Sequence, residues 1–157
     1  MFDVAQPKIT ILGIGNLFLG DEGLGIHFVR MLREDNLDYA NLEIIDGDTC
    51  PEIASLIEDT YKLIIVDAIK GGKEPGTVYR LVANDMVIDS PPRVSSHELN
   101  VMDSLKALKL MGSEPKNIVI VGIEPKNIDW SLELSSKVKG KLDELKKIVI
   151  EEVKGAN

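Results

Sequence analysis

The sequence predicts an α/β sandwich built on a largely parallel sheet. Three observations carry that expectation: short, nearly all-apolar runs rich in Ile and Val recur along the chain, segments with apolar residues at helical spacing separate them, and glycine or proline marks the joins. A run that is apolar at almost every position, rather than at every second one, reads as a strand covered on both faces. That is the condition of a parallel strand with helices above and below it.

Lys8 to Ile14 is the first such strand. A glycine-punctuated loop follows, and Leu24, Phe28, Met31 and Leu32 then recur at helical spacing, which predicts a first helix from about Glu22 to Glu34. Leu42 to Ile45 is a second strand ending at Asp46-Gly47, and Pro51 is placed to open a helix running to about Asp59. Lys62 to Val66 is a third strand. Gly71-Gly72 and Pro75-Gly76 mark a loop, and Thr77 to Val82 a short edge strand. Pro91-Pro92 interrupts regular structure before Val94. Ser95 and Glu98 have capping-box spacing, so a helix is expected from about Ser96 to Leu110 with Val101, Leu105 and Leu108 facing inward. Asn117 to Val121 is the last apolar strand. Val138, Leu142, Leu145 and Val149 stripe one long helix ending near Val153.

The 157 residues suit one domain spanning the chain, with no internal repeat and no linker. Only 4% of the residues are aromatic, so the core must be aliphatic. The formal net charge of -8 argues against a nucleic-acid partner, which would require a basic face. Cys50 is the only cysteine, which rules out an intrachain disulfide and a cysteine zinc cluster and fits a reducing compartment. Met1 to Lys8 lacks an apolar stretch of signal-peptide length, and no apolar run reaches the roughly 18 residues of a membrane span. A cytoplasmic protein without a membrane partner is therefore expected.

In open sheets of this kind ligands bind beyond the carboxyl ends of the strands. Glu22, Asp46, Asp67, His97 and Glu124 all map to that edge. Two carboxylates and an imidazole from Glu22, Asp67 and His97 would make a hard-to-borderline transition-metal site with open positions. In the first turn of a helix, His97 would be held neutral by the positive end of the dipole, the form a metal requires. Each residue also has a plainer reading: Glu22 as a helix-start acid, Asp67 and Asp46 as turn or capping residues, His97 as an exposed first-turn histidine. His27 shares a polar stripe with Arg30 and Glu34 and reads as solvated, and Cys50 as an inert thiol. Gly13-Ile14-Gly15 lacks the third glycine of a dinucleotide fingerprint, since Phe18 stands there, and no phosphate loop follows. No serine stands in a Gly-x-Ser-x-Gly elbow.

Five segments together resemble the hydrogenase maturation endopeptidases: the loop from Gly15 to Gly25 with Asp21-Glu22-Gly23 at its centre, Asp46-Gly47-Asp48-Thr49, Val66-Asp67-Ala68, Ser95-Ser96-His97-Glu98, and Val121-Gly122-Ile123-Glu124-Pro125. The resemblance runs from about Ile9 to Ile150. It implies a three-layer α/β/α sandwich around a twisted, mostly parallel sheet of about five strands. It also implies a peptidase that trims the C-terminal extension of a nickel-iron hydrogenase large-subunit precursor. Glu22, Asp67 and His97 would contact nickel, which arrives bound in the precursor; no cofactor would be held permanently, and a surrogate such as zinc or cadmium would fit the same donors. Two mechanisms follow: metal-assisted hydrolysis, or recognition by the metal with Asp67 or Asp46 as general base. A monomer acting on that precursor is expected. The rivals are another peptidase on the same scaffold, such as a spore-protein protease, a nucleotide-binding module argued from Gly13 and Gly15, and a nickel chaperone without hydrolytic activity.

Overall fold

Five strands form one sheet in the order β2-β1-β3-β5-β4 in this computed structural model, which describes residues 5–48, 53–82 and 96–156, with side chains from Val101 onward in the last stretch. The strands are β1 (Ile9–Gly13), β2 (Leu42–Asp46), β3 (Lys62–Ala68), β4 (Val78–Val82) and β5 (Asn117–Ile123). β2, β1, β3 and β5 are mutually parallel, and β4 pairs antiparallel with β5 at the edge. Two central strands explain the nearly all-apolar runs: β1 and β3 are buried at every position. The connecting helices are α1 (Leu24–Glu34), α2 (Ile53–Ile57), α3 (Ser96–Met111), α4 (Ser136–Lys139) and α5 (Leu142–Lys154).

Strand alternation divides the core in two. Ile9, Ile11, Ile64, Val66, Val119 and Val121 face one way and pack against Leu24, Phe28 and Leu32 of α1 and Leu145, Val149 and Val153 of α5. Leu12, Leu63 and Ile65 face the other way and pack against Ile53 and Ile57 of α2 and Val101 and Leu108 of α3. These are the three layers anticipated. Val101 and Leu108 are buried and Leu105 packs partly against them, as the helical spacing requires.

Beyond shifts of one or two residues elsewhere, the departures from the sequence expectation that bear on the site lie in the first helix, β3, β5 and the C-terminal helix. The first helix opens as a 3-10 turn (Gly20–Gly23) before α1 begins at Leu24. β3 and β5 each run two residues further than expected, so Asp67 lies within its strand. The long C-terminal helix is two helices: Ser135 caps α4 through Val138 N, and α4 ends at Gly140, a residue with poor helix propensity. The stripe survives the break, since Val138, Leu145, Val149 and Val153 are all fully buried. The expectations for Pro51, Cys50, Ser95 and Pro91-Pro92 lie outside the described residues.

α1 sits unusually close to the sheet. A β-carbon on Gly25 would stand 2.2 Å from the carbonyl oxygens of both Ile14 and Val66. Both obstacles are backbone atoms and cannot turn aside. Gly25→Ala is therefore expected to destabilise the protein by about 2 kcal/mol, although alanine is the better helix former. Urea unfolding would measure it, and a neutral or stabilising result would contradict the packing.

Candidate active site at the carboxyl edge of the sheet

The chain leaves β1 towards β2 on one side and returns to β3 on the other, so the strand order reverses between β1 and β3. In open α/β sheets ligands bind at that reversal. Gly13 lies in register with Asp46 on one side and Val66 on the other. Ile14 N donates to Val66 O at 3.0 Å, closing the ladder and setting Asp67 at its mouth.

Asp67 is 5% exposed. Its Oδ1 accepts from Ala68 N at 2.8 Å. By alternation from Leu63 and Ile65 it belongs to the face that α2 and α3 cover. α3 precedes the parallel strand β5 and so begins at the carboxyl edge of the sheet, with His97 as its second residue. The backbone of His97 thus lies on the Asp67 face of the sheet at the correct edge, while its imidazole lies outside the described side chains.

Glu22 stands in the 3-10 turn immediately before α1. Its Oε1 accepts from Lys70 Nζ at 2.6 Å. Lys70 is three residues beyond Asp67, so the segment leaving β3 reaches the turn that carries Glu22. Asp46 ends β2, one strand further from the reversal. Both its oxygens are engaged: Oδ2 accepts from Arg30 Nε at 2.8 Å and Oδ1 from Asp48 N at 3.0 Å. That arrangement suits a turn-fixing carboxylate better than a proton acceptor. Among the described residues no three His, Cys, Asp or Glu side chains cluster around a common point, a set that does not include the His97 imidazole. Glu22 and Asp67 are hard oxygen donors, and a borderline cation would draw its nitrogen or sulfur ligands from elsewhere.

Two further acids shape the edge, and the sequence reading gave neither a role. Asp21 is fully buried. Its Oδ2 accepts from Lys126 N, Asn127 N and Ser135 Oγ at 2.9, 2.9 and 2.8 Å, and its Oδ1 from Ser135 N at 2.7 Å. Burial alone would raise its pKa, but these hydrogen bonds outweigh burial and hold it below the ordinary carboxylate value. The turn and the 126–135 segment are further joined by Asp21 N to Asn127 O at 2.8 Å and Gly20 N to Ser131 O at 2.9 Å. Gly20 takes a φ of +56°, and a β-carbon there would meet Asn127 O at 2.6 Å, so glycine is required on both counts. Glu124 fixes the loop after β3, accepting from Gly71 N at 2.7 Å, Gly72 N at 3.3 Å and Tyr79 Oη at 2.8 Å. Burial, followed by this bond to Glu124, raises the Tyr79 pKa.

His27 corrects the sequence reading. It is half-buried rather than solvated, and its Nε2 is buried with no hydrogen-bond partner. Spacing along its own helix shows Arg30 and Glu34, but not the distant 126–135 segment that folds over it. Burial first, then Arg30 and Lys139, lower its pKa against a backbone hydrogen bond at Leu132 that raises it. A separate cavity of about 240 Å³ lies at the opposite, amino edge, lined in part by Lys62, Arg80 and Glu152. There Glu152 pairs with both Lys62, at 2.7 Å, and Arg80, so its carboxylate is already engaged on both oxygens.

No helix among the described residues is long and apolar enough to cross a membrane. The family model for hydrogenase maturation proteases matches residues 26–152. The chain is 31% identical over 138 residues to the hydrogenase 2 maturation protease of Escherichia coli, covering 87% of this chain and 84% of that one. It is 32% identical over 155 residues to a putative hydrogenase maturation protease of Methanocaldococcus jannaschii, covering 95% and 98%. Its fold superposes on the hydrogenase maturating endopeptidase HybD from Escherichia coli with a TM-score of 0.87, 28% identity, and 96% and 94% coverage. The [NiFe] hydrogenase maturation protease HybD from Thermococcus kodakarensis gives 0.75, 25%, and 92% and 97%. A family model that matches most of the chain, together with relatives and a solved structure matched over nearly its whole length, places the chain in the hydrogenase maturation protease family, as a hydrolase of the endopeptidase class.

Proposed function

We propose that this enzyme removes the C-terminal extension from the large-subunit precursor of a nickel-iron hydrogenase, and that Glu22, Asp67 and His97 read nickel already seated in that precursor. The observation that supports it best is the placement of the two carboxylates. Glu22 and Asp67 come from separate elements to the one edge where the strand order reverses, and α3 brings His97 to the same edge. Three protein donors leave positions open, which is what recognition of a metal already held by another protein demands. Nickel in the precursor would supply Lewis-acid polarisation of the scissile carbonyl.

Asp67 is the better general base of the two aspartates considered. Asp46 has one oxygen committed to Arg30 and the other to the Asp48 amide, so both are already engaged in fixing the turn. In the proposed step Asp67 takes a proton from water as the water oxygen adds to the scissile carbonyl. It then returns the proton to the leaving amine as the C–N bond breaks. Lys70 holds Glu22 at the rim through Oε1 in the free enzyme, which leaves Oε2 to meet the precursor's metal.

The test incubates the protein with the precursor, with and without nickel loading, and follows the product by mass spectrometry. Loss of the extension from the loaded form alone is expected. Equal trimming of both forms would remove nickel from the mechanism. Trimming of neither, with nickel nonetheless bound, would favour the chaperone reading.

A further inference from the structure

We infer that Phe18, Ile128, Trp130 and Leu132 form the apolar anchor on which the precursor docks, an inference that rests on the proposed function. The chain's only tryptophan is 82% exposed, and Phe18, Ile128 and Leu132 are 59%, 43% and 64% exposed. Phe18 and Trp130 touch, with ring centroids 6.4 Å apart at 53°. Their segments are bridged strand-like at Leu19 and Ser131, and Ser131 N donates to Phe18 O at 2.9 Å. Exposed Lys126, Asp129 and Glu133 give the patch a polar rim. An apolar patch with such a rim marks an interaction site, and tryptophan is the residue most enriched among interface anchors.

Location selects the occupant. Phe18 lies four residues before Glu22 in the same loop and turn. The patch therefore adjoins the turn that carries Glu22, where a protein presenting its scissile segment to the Glu22–Asp67 edge would meet it. The patch is also held in shape before binding, since Asp21 ties the turn after Phe18 to the amides of Lys126, Asn127 and Ser135, and preorganisation lowers the entropy cost of docking. Its exposed apolar area is on the order of 500 Å², well short of the roughly 800 Å² that each partner of a stable dimer contributes. As the centre of a larger contact that continues across the active edge, that area is sufficient. The occupant is therefore an apolar face of the hydrogenase large-subunit precursor next to its extension, rather than a second copy of this chain.

The test compares the wild type with Trp130→Ser, Phe18→Ser and, as a control far from the edge, Leu110→Ser at the exposed end of α3. Cleavage is measured over a range of nickel-loaded precursor concentrations, with calorimetric binding and thermal unfolding alongside. At least a tenfold fall in kcat/KM is expected for both patch variants, carried by KM, with Trp130→Phe restoring most of it and Leu110→Ser leaving KM unchanged. A KM within twofold of wild type for both patch variants overturns the inference. So does a wild-type dimer that Trp130→Ser converts to monomer. If the wild type binds the precursor without cutting it, the proposed function fails alone; calorimetry then decides the patch, weakened binding by both variants supporting it and unchanged binding refuting it.

Discussion

Glu22→Ala is expected to abolish cleavage of the loaded precursor, by at least about 10³-fold, without unfolding the protein. Loss of groups that merely orient metal ligands costs 10–100-fold, so loss of a ligand itself should cost more. The fold should not notice. The carboxylate of Glu22 is 16% exposed and makes one ion pair with the 42% exposed Lys70, a contact worth under about 1 kcal/mol at the surface. His97→Ala should behave alike. Cleavage by mass spectrometry and cooperativity in a urea melt are read on the same samples. A broadened or shifted melt in both variants would assign the residues a structural role instead.

Asp21→Ala is expected to act in the opposite sense, through stability first. Removing the carboxylate strands three backbone amides, of Lys126, Asn127 and Ser135, in a buried place. Hydrogen bonds to a charged acceptor are worth about 1.5–3 kcal/mol each and do not add fully, so a loss of about 3–5 kcal/mol is expected. The sign with pH follows from the lowered pKa. The unfolded chain protonates Asp21 near its ordinary value while the folded protein still holds it charged. Below that value the unfolded state binds more protons, so the contribution of Asp21, complete above it, is lost as pH falls through the folded pKa. Urea midpoints taken downward from pH 5 should converge for wild type and Asp21→Ala. Parallel curves would show that Asp21 contributes no pH-linked stability.

Much of this was legible in the sequence, and the part that was not has a common cause. The buried strands announced themselves because a parallel strand with two covered faces is apolar at nearly every position, as β1 is apart from Thr10 and β3 apart from Lys62 and Asp67 towards its ends. Residues at strand ends, Asp46 and Asp67, could be assigned to one edge because parallel strands all finish there. Asp21 gave no such signal. Beside Glu22 it looks like an ordinary acid at a helix start, and its hydrogen-bond donors lie 105 to 114 positions away. His27 was misread for the same reason, because its cover comes from the same distant segment. The break at Gly140 is hidden in the sequence by an apolar stripe that continues across it. Periodicity reports which face is buried and says little about whether the backbone is continuous.

The clasp between the Glu22 turn and residues 126–135 sets an order in time. During synthesis, β1 and the turn emerge early, whereas the amides that grip Asp21 are translated more than a hundred codons later. A ribosome-bound chain therefore holds its acidic residues without the frame that fixes them. The frame around the Glu22 turn is complete only when the late segment folds back onto it.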